Sequence, residues 1–286
     1  MKSTEKMSHF VAIEQATQEQ ASSQQWRDLH VERITASNFG KILHRKSTPT
    51  EAFVVSLTSS FSKKVSAPSL CYGQRHESTA KAAYLDARPN VHLHKCGLVI
   101  NPDFPFLGAS PDAKVCDSGV CGIMEVKCPF SARQMTIAQA SNDIPNFQLQ
   151  LSQSTDSSSY KLKETHDNYA QIQGQLLVTG ADFCDYVIYT QRDIHIERIY
   201  PNNVFMNDML NKLTEFYAGY VKPYLEKLRN IEMQSDNDTE IESGAMVPND
   251  AVAADVDDPA ADTECEDVAS TSYPLSTTVE STTRSM

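Results

Sequence analysis

The chain has 286 residues, 40% hydrophobic and 22% charged, enough to bury a sizeable core as one large domain or two small ones. It has no apolar run of about 18 residues, and its opening MKSTEKMSHFVAIEQATQEQ lacks the apolar segment of a secretory signal; these features argue against a membrane or secreted protein and for an intracellular one, nuclear or cytoplasmic. The net charge of −12 is uneven: residues 231–286 hold 14 Asp/Glu against one Arg, which leaves residues 1–230 nearly neutral, so that nucleic acid could bind the body only through clustered Lys and Arg.

Along the chain, residues 1–15 read as a flexible N-terminus, 16–230 as the folded domain and 231–286 as a disordered acidic tail poor in apolar residues. A helix is expected over 18–33, with Trp26 in the core, and Ser37 caps a second over 38–43. Thr50 caps a third over 51–61, and a fourth runs over 73–87, stopped by Pro89. Strands follow over 92–100, 107–116 and 122–128, the last two joined through Asp117-Ser118-Gly119. A helix over 131–140 leads to short strands at 147–151 and 160–163. The helix over 169–179 ends at Gly180, a hairpin pairs 184–190 with 194–200, and a long helix over 203–230 is interrupted at Pro223. This order predicts an α/β or α+β domain with a mixed sheet.

The chemistry concentrates in LGASPDAKVCDSGVCGIMEVKCP. Alternation in a strand puts Glu125 and Lys127 on one face, and the hairpin brings Asp112 back beside them. Two carboxylates and an ammonium at a sheet end can hold a divalent cation and act on a phosphate. With two acids nearby, Lys127 suits water positioning and charge stabilisation better than proton abstraction. Arg33 and Ser37 suit a phosphate site, a guanidinium fork beside a helix start. Gln171 and Gln175 share one helical face, and Gln173 points roughly the other way. Glu77 and Lys81 have the spacing of an exposed helical ion pair. The seven cysteines are scattered and odd in number, which favours free thiols, and Cys116, Cys121 and Cys128 do not have the spacing of a usual metal site. Lys and Arg at 45–46 and 63–64 add scattered positive charge to the surface.

The ordered series Trp26…Arg33-Ile-Thr-Ala-Ser37…Gly73-Gln-Arg-His-Glu77…Gly108-Ala-Ser-Pro-Asp112…Glu125-Val-Lys127-Cys-Pro129…Tyr169-Ala-Gln-Ile-Gln173-Gly-Gln175 resembles the YqaJ-type viral recombinase domain, which is similar to the phage lambda-type alkaline exonuclease of the PD-(D/E)XK nuclease superfamily. The resemblance covers about residues 20–225. It implies a restriction-endonuclease-like core, a central mixed sheet flanked by helices. It further implies a Mg2+- or Mn2+-dependent DNA nuclease, a 5′-to-3′ exonuclease on linear duplex ends in recombination or repair, with relatives acting as homo-oligomeric rings. By resemblance the Val126 carbonyl joins Asp112 and Glu125 as a metal ligand, Glu77 is an acidic active-site residue and Gln173 the active-site glutamine. The resemblance also places Arg33 and Ser37 at the 5′-phosphate, and Gln171 and Gln175 remain DNA contacts. The tail is expected to be solubilising or to bind a basic protein partner. The alternative reading is a catalytically inactive nuclease-derived DNA- or protein-binding module.

Overall fold

The computed structural model of the chain describes residues 2–58, 67–153, 158–242 and 276–277. The helices are α1 (Lys2–Ala16), α2 (Gln24–Val31), α3 (Ala36–Leu43), α4 (Glu51–Thr58), α5 (Pro68–Ala87), α6 (Ile137–Asp143), α7 (Asp167–Thr179), α8 (Asn203–Phe216) and α9 (Lys222–Glu242). The strands are β1 (Ile34–Thr35), β2 (Val91–His94), β3 (Val99–Ile100), β4 (Leu107–Ala109), β5 (Ala113–Asp117), β6 (Val120–Lys127), β7 (Leu149–Gln153), β8 (Ser158–Leu162), β9 (Cys184–Tyr189), β10 (Asp193–Ile199) and β11 (Ser276–Thr277).

The main sheet has the order β11-β10-β9-β6-β5-β2, with β6 parallel to β9, β11 parallel to β10, and the other neighbours antiparallel. This is the expected mixed sheet. Side-chain alternation sorts its two faces. Ile123, Cys184, Tyr186 and Ile188 pack with α3, α7 and α8 through Phe39, Ile172, Leu176 and Met209. Met124, Val126, Val187 and Tyr189 pack on the other face against Ala80, Ala83 and Tyr84 of α5. On this sheet Arg198 grips Asp185 with two parallel bonds of 2.8 Å and reaches Asp117 at 2.7 Å, while Tyr84 donates to Asp185 at 2.6 Å. Asp185 is fully buried, and every oxygen it presents is met by a donor.

The strand expected over 107–116 is two pieces in two sheets, and so is the one over 92–100. A three-stranded sheet, β1-β4-β3, takes one half of each. The register is nevertheless continuous: Val99 pairs with Ala109 and, across the gap, His94 pairs with Lys114. The two pieces therefore form one long hairpin opened in its middle. Pro111 has no N–H to contribute there, and side chains from the N-terminus enter the opening. Glu14 Oε1 accepts from Gly97 N at 3.0 Å, Thr17 Oγ1 from Leu98 N at 2.8 Å, and Gln20 Nε2 donates to the carbonyls of Cys96 and Pro111 at 2.9 and 3.0 Å. The N-terminal stretch expected to be flexible is thus helix α1, with Ile13 and Glu14 buried.

Other boundaries shift for local reasons. The helix expected over 18–33 is broken by a 3-10 turn at Gln20–Ser22, after which Ser23 caps α2 by accepting from Trp26 N. Thr35 is the residue at the N-cap of α3, so Ser37 lies exposed inside its first turn. The Ser118–Gly119 turn has φ of 53° and 85°, the left-handed pair that a two-residue hairpin requires. The interruption ahead of Pro223 is a π-helical stretch, Tyr217–Val221, in keeping with a proline that cannot bond back to the preceding turn. Helix α9 continues past the boundary expected at 230. The rest of the expected tail, Cys265, Lys63-Lys64 and the end of the helix expected over 51–61 lie outside the described residues, apart from β11. Among the described residues no helix is long and apolar enough to cross a membrane, and six cysteines are free thiols.

Helix α7 is packed against α3 through two glycines. A Cβ on Gly40 would stand 2.6 Å from Asp167 Cα, and one on Gly174 would overlap the Phe39 ring. Gly174→Ala should therefore cost about 1–3 kcal/mol of stability through overpacking. Gly73→Ala on α5, where a Cβ meets nothing within 4 Å, should gain up to about 1 kcal/mol from helix propensity. Urea unfolding of the two variants checks the opposite signs.

Candidate active site

Asp112 stands at the opening of the hairpin, one residue before β5. Its N–H donates to Met124 O at 3.0 Å, and its Oδ2 accepts from Val126 N at 2.6 Å. Antiparallel pairing of Ala113 with Met124 would next set Pro111 opposite Val126. Pro111 has no N–H for the Val126 carbonyl, and its own carbonyl is turned to Gln20. The peptide of Val126 is left to Asp112 on its N–H side, and its carbonyl emerges on the same edge of β6.

Glu125 faces α7 and is 4% exposed. Its Oε1 accepts from Lys127 Nζ at 2.6 Å and from Gln171 Nε2 at 2.7 Å, and its Oε2 from Gln175 Nε2 at 2.6 Å. Gln171 Oε1 in turn accepts from Lys127 Nζ at 3.1 Å. One amide therefore braces both the acid and the amine. Among the described residues Gln175 Oε1 is buried without a hydrogen-bond partner, an open acceptor beside Glu125.

The electrostatics are unbalanced. Burial, then repulsion from Glu125 and Glu77, hold the Asp112 carboxyl well above the usual carboxylate range, against the opposing pull of Lys127 and the Val126 N–H. Burial alone would lower Lys127, but the charges of Glu125 and Asp112 outweigh it and raise it above the usual lysine value of 10.5. Lys127 is thus a fixed cation, and as such poorly suited to remove a proton near neutral pH.

Asp112, Glu125, Lys127, Gln171 and Gln175 come together as one group. Glu77 lies near enough to repel Asp112, yet its carboxylate pairs with Lys81. Lys81 also donates to the Asp112 carbonyl at 2.8 Å, so the helical pair read from spacing is also a strut from α5 to the site. Gln173 is a correction to the sequence reading: it is fully buried on the far side of α7, donating to Tyr200 O at 3.0 Å and accepting from Asn202 N at 2.8 Å. Its sequence offset from Gln171 and Gln175 already carried that signal. Arg33 spends donors on Pro105 O at 3.1 Å and Leu29 O at 2.7 Å. Ser37 Oγ lies 3.3 Å from Thr35 Oγ1. Neither Arg33 nor Ser37 hydrogen-bonds to the carboxylate group. Two contributors escaped sequence reading: Gln20, and Trp26, whose indole N–H donates to Ser110 Oγ at 2.8 Å.

Among the described residues no three His, Cys, Asp or Glu side chains are placed to hold a metal ion. The oxygens at the opening are instead two carboxylates and a backbone carbonyl. These hard donors suit Mg2+ or Mn2+, and the mutual repulsion at Asp112 is what a divalent charge would relieve. By donor chemistry, therefore, the residues fit such an ion.

An α/β core with an Asp–Glu–Lys group at the mouth of its central strand defines the class. Residues 25–182, more than half of the chain, match the YqaJ-like viral recombinase domain, and the chain belongs to that family. It is 23% identical over 239 residues to the alkaline nuclease of Autographa californica nuclear polyhedrosis virus, covering 74% of this chain and 51% of that protein. It is 27% identical over 188 residues to the alkaline nuclease of Orgyia pseudotsugata multicapsid polyhedrosis virus, covering 62% and 42%. The chain thus spans about half the length of the curated relatives it matches. In fold it is similar to an alkaline exonuclease from Laribacter hongkongensis, with a TM-score of 0.55 and 20% identity over 74% of this chain and 99% of that one.

The imbalance predicts opposite effects of two isosteric changes in EDTA near neutral pH. The folded-state pKa of Asp112 is raised, so the stability linked to its proton is lost as pH rises through that value. Asp112→Asn should therefore raise the melting temperature. Glu125→Gln removes the counterion of Lys127 and should lower stability by about 2 kcal/mol, less than the roughly 3–5 of a fully buried pair. Thermal melts of both variants and the parent decide this.

Proposed function

We propose that this chain is a metal-dependent DNA nuclease, a phosphodiester hydrolase acting 5′-to-3′ on linear duplex ends. The observation that carries the reading is the convergence of Asp112 and Glu125 beside Lys127, whose charged form the two acids favour. Family membership and relatives described as alkaline nucleases support it. A divalent cation, when bound, offsets charge on the phosphoryl oxygens and lowers the pKa of water. Asp112, Glu125 and the Val126 carbonyl would hold it.

The protein groups do the rest. Lys127 Nζ has two of its three N–H bonds on Glu125 and Gln171 and gives the third to the attacking water, fixing the line of approach, while its charge offsets that of the phosphoryl oxygens. Gln171 and Gln175 lock the Glu125 carboxylate in one orientation. Lys81 holds the Asp112 backbone, so the acid cannot swing away from β6. The bond from phosphorus to the 3′-oxygen breaks as the water oxygen adds; the water gives up a proton to solvent, the leaving 3′-oxygen takes one up, and a 5′-phosphate remains on the shortened strand. Recombination or repair is the context we assign, with homo-oligomerisation and a basic partner for the acidic tail as further elements.

Digestion of end-labelled linear duplex, closed circular DNA and single-stranded DNA, each with Mg2+, Mn2+ or EDTA, tests the proposal. Because a KSHV SOX structure of similar fold, with a TM-score of 0.52, was solved with RNA, the panel includes single-stranded RNA. The expected outcome is metal-dependent loss of linear duplex from its 5′ ends, with Asp112→Asn, Glu125→Gln and Lys127→Met each slower by about 10²-fold or more. DNA binding without cleavage under every condition would favour the inactive binding module. Since Lys127 is raised, the rate should show no alkaline fall below about pH 10, only an acid limb as Asp112 takes up its proton. A rate–pH series on the parent checks that shape.

A further inference from the structure

The segment ahead of residue 25 lies outside the family match, yet one of its side chains bonds the residue next to Asp112. We infer that Gln20 is a positioning residue for Asp112, and that it acts by deciding which oxygen takes the Val126 N–H. The inference rests on the reading of Asp112 as a cation ligand and extends it to a part of the chain outside the matched domain.

Gln20 Nε2 reaches one carbonyl on each arm of the opened hairpin, Cys96 O and Pro111 O. These two donations use both N–H bonds of the amide. A continued β5–β6 ladder would turn Pro111 O toward Val126 N, but here the Asp112 N–H donates to Met124 O at 3.0 Å, so Pro111 O, on the opposite side of that trans peptide, faces Gln20. While Gln20 holds the carbonyl side of this peptide and Met124 O its N–H side, Val126 N is left to Asp112 Oδ2. The same bond fixes the peptide plane between Pro111 and Asp112, and with it the direction in which the Asp112 side chain leaves the backbone.

The segment is built for this contact at some cost. Gln20 has φ 44°, in the left-handed region that a non-glycine residue adopts only under strain. Its neighbours enter the same opening, Glu14 at Gly97 and Thr17 at Leu98. A Cβ on Gly97 would overlap the Glu14 carbonyl and stand 2.6 Å from Thr17 Oγ1, so the approach requires a glycine. Trp26 holds Ser110 from the same side. Three consecutive residues, Ser110, Pro111 and Asp112, are thus each tied to a different side chain, those of Trp26, Gln20 and Lys81.

The test uses the full chain, the parent and three variants: Gln20→Ala, Gln20→Gly and Asp112→Asn. Gln20→Gly removes the amide while relieving the positive φ, so it keeps the test open if the alanine variant folds poorly. The first readout is the through-hydrogen-bond NMR coupling between the Val126 amide nitrogen and the Asp112 carboxyl carbon, measured without metal. The second is binding of Mn2+ alone, by paramagnetic resonance of the free ion. The inference expects the coupling to be lost in both Gln20 variants and the Mn2+ dissociation constant to rise about tenfold. A purely structural role would lower the melting temperature and leave both readouts at parental values, and that result overturns it. If the parent binds no Mn2+, the metal reading fails, and the coupling alone still decides whether Gln20 directs Asp112: its retention in the Gln20 variants rejects the inference, its loss sustains the positioning role.

Discussion

In an uninterrupted antiparallel ladder the N–H of Val126 would pair with the carbonyl of Pro111. Here Asp112 Oδ2 accepts it at 2.6 Å, while Pro111 O is held by Gln20. The exchange of a backbone acceptor for a carboxylate ends the β5–β6 pairing at Ala113 and Met124 and keeps an acid at that end. Most of the surrounding architecture serves that exchange. Pro111 cannot complete the ladder, α1 and the turn after it fill the gap, and α5 sends Lys81 to the Asp112 carbonyl. The small sheet of β1, β3 and β4 takes up the halves of the strands that leave.

The sheet carries two acidic centres with opposite balance. Asp185 is fully buried but meets Arg198 through a planar fork and Tyr84 through its hydroxyl. Its charge is matched, and it ties β9, β10 and α5 together. Asp112 has Glu125 and Glu77 as neighbours, three carboxylates against the two ammonium groups of Lys127 and Lys81. One network spends its charges on the fold. The other leaves negative charge in excess, the pattern expected where function rather than stability selected the groups.

Much of this was legible in the sequence because it is local. Alternation over residues 122–128 put Glu125 and Lys127 on one face, and the Ser118–Gly119 turn brought Asp112 back to them. The mixed sheet followed from the order of elements. What escaped depended on contacts distant in sequence. Residues 1–15 read as flexible since their burial is created by Gly97 and Leu98. The strands over 92–100 and 107–116 read as continuous because their register is continuous; Pro111 and the entry of Glu14, Thr17 and Gln20 divide them. Gln173 took its assigned role from resemblance, although helical spacing had set it apart from Gln171 and Gln175, and the structure follows the spacing. Ser37 read as a cap because Ile34–Thr35 was not expected to be a strand, which moves the helix start to Thr35.

Trp26 is the only tryptophan in the chain, and its indole N–H is bonded to the serine two positions ahead of Asp112. The imidazole of His30 lies 3.7 Å from the indole, yet burial holds its pKa down at about 4, so the ring stays uncharged across the range where an imidazolium would quench the emission. The protein therefore contains its own optical probe. Its fluorescence reports the geometry of the opened hairpin against a background free of other indoles, and ligand arrival can be followed without attaching a dye.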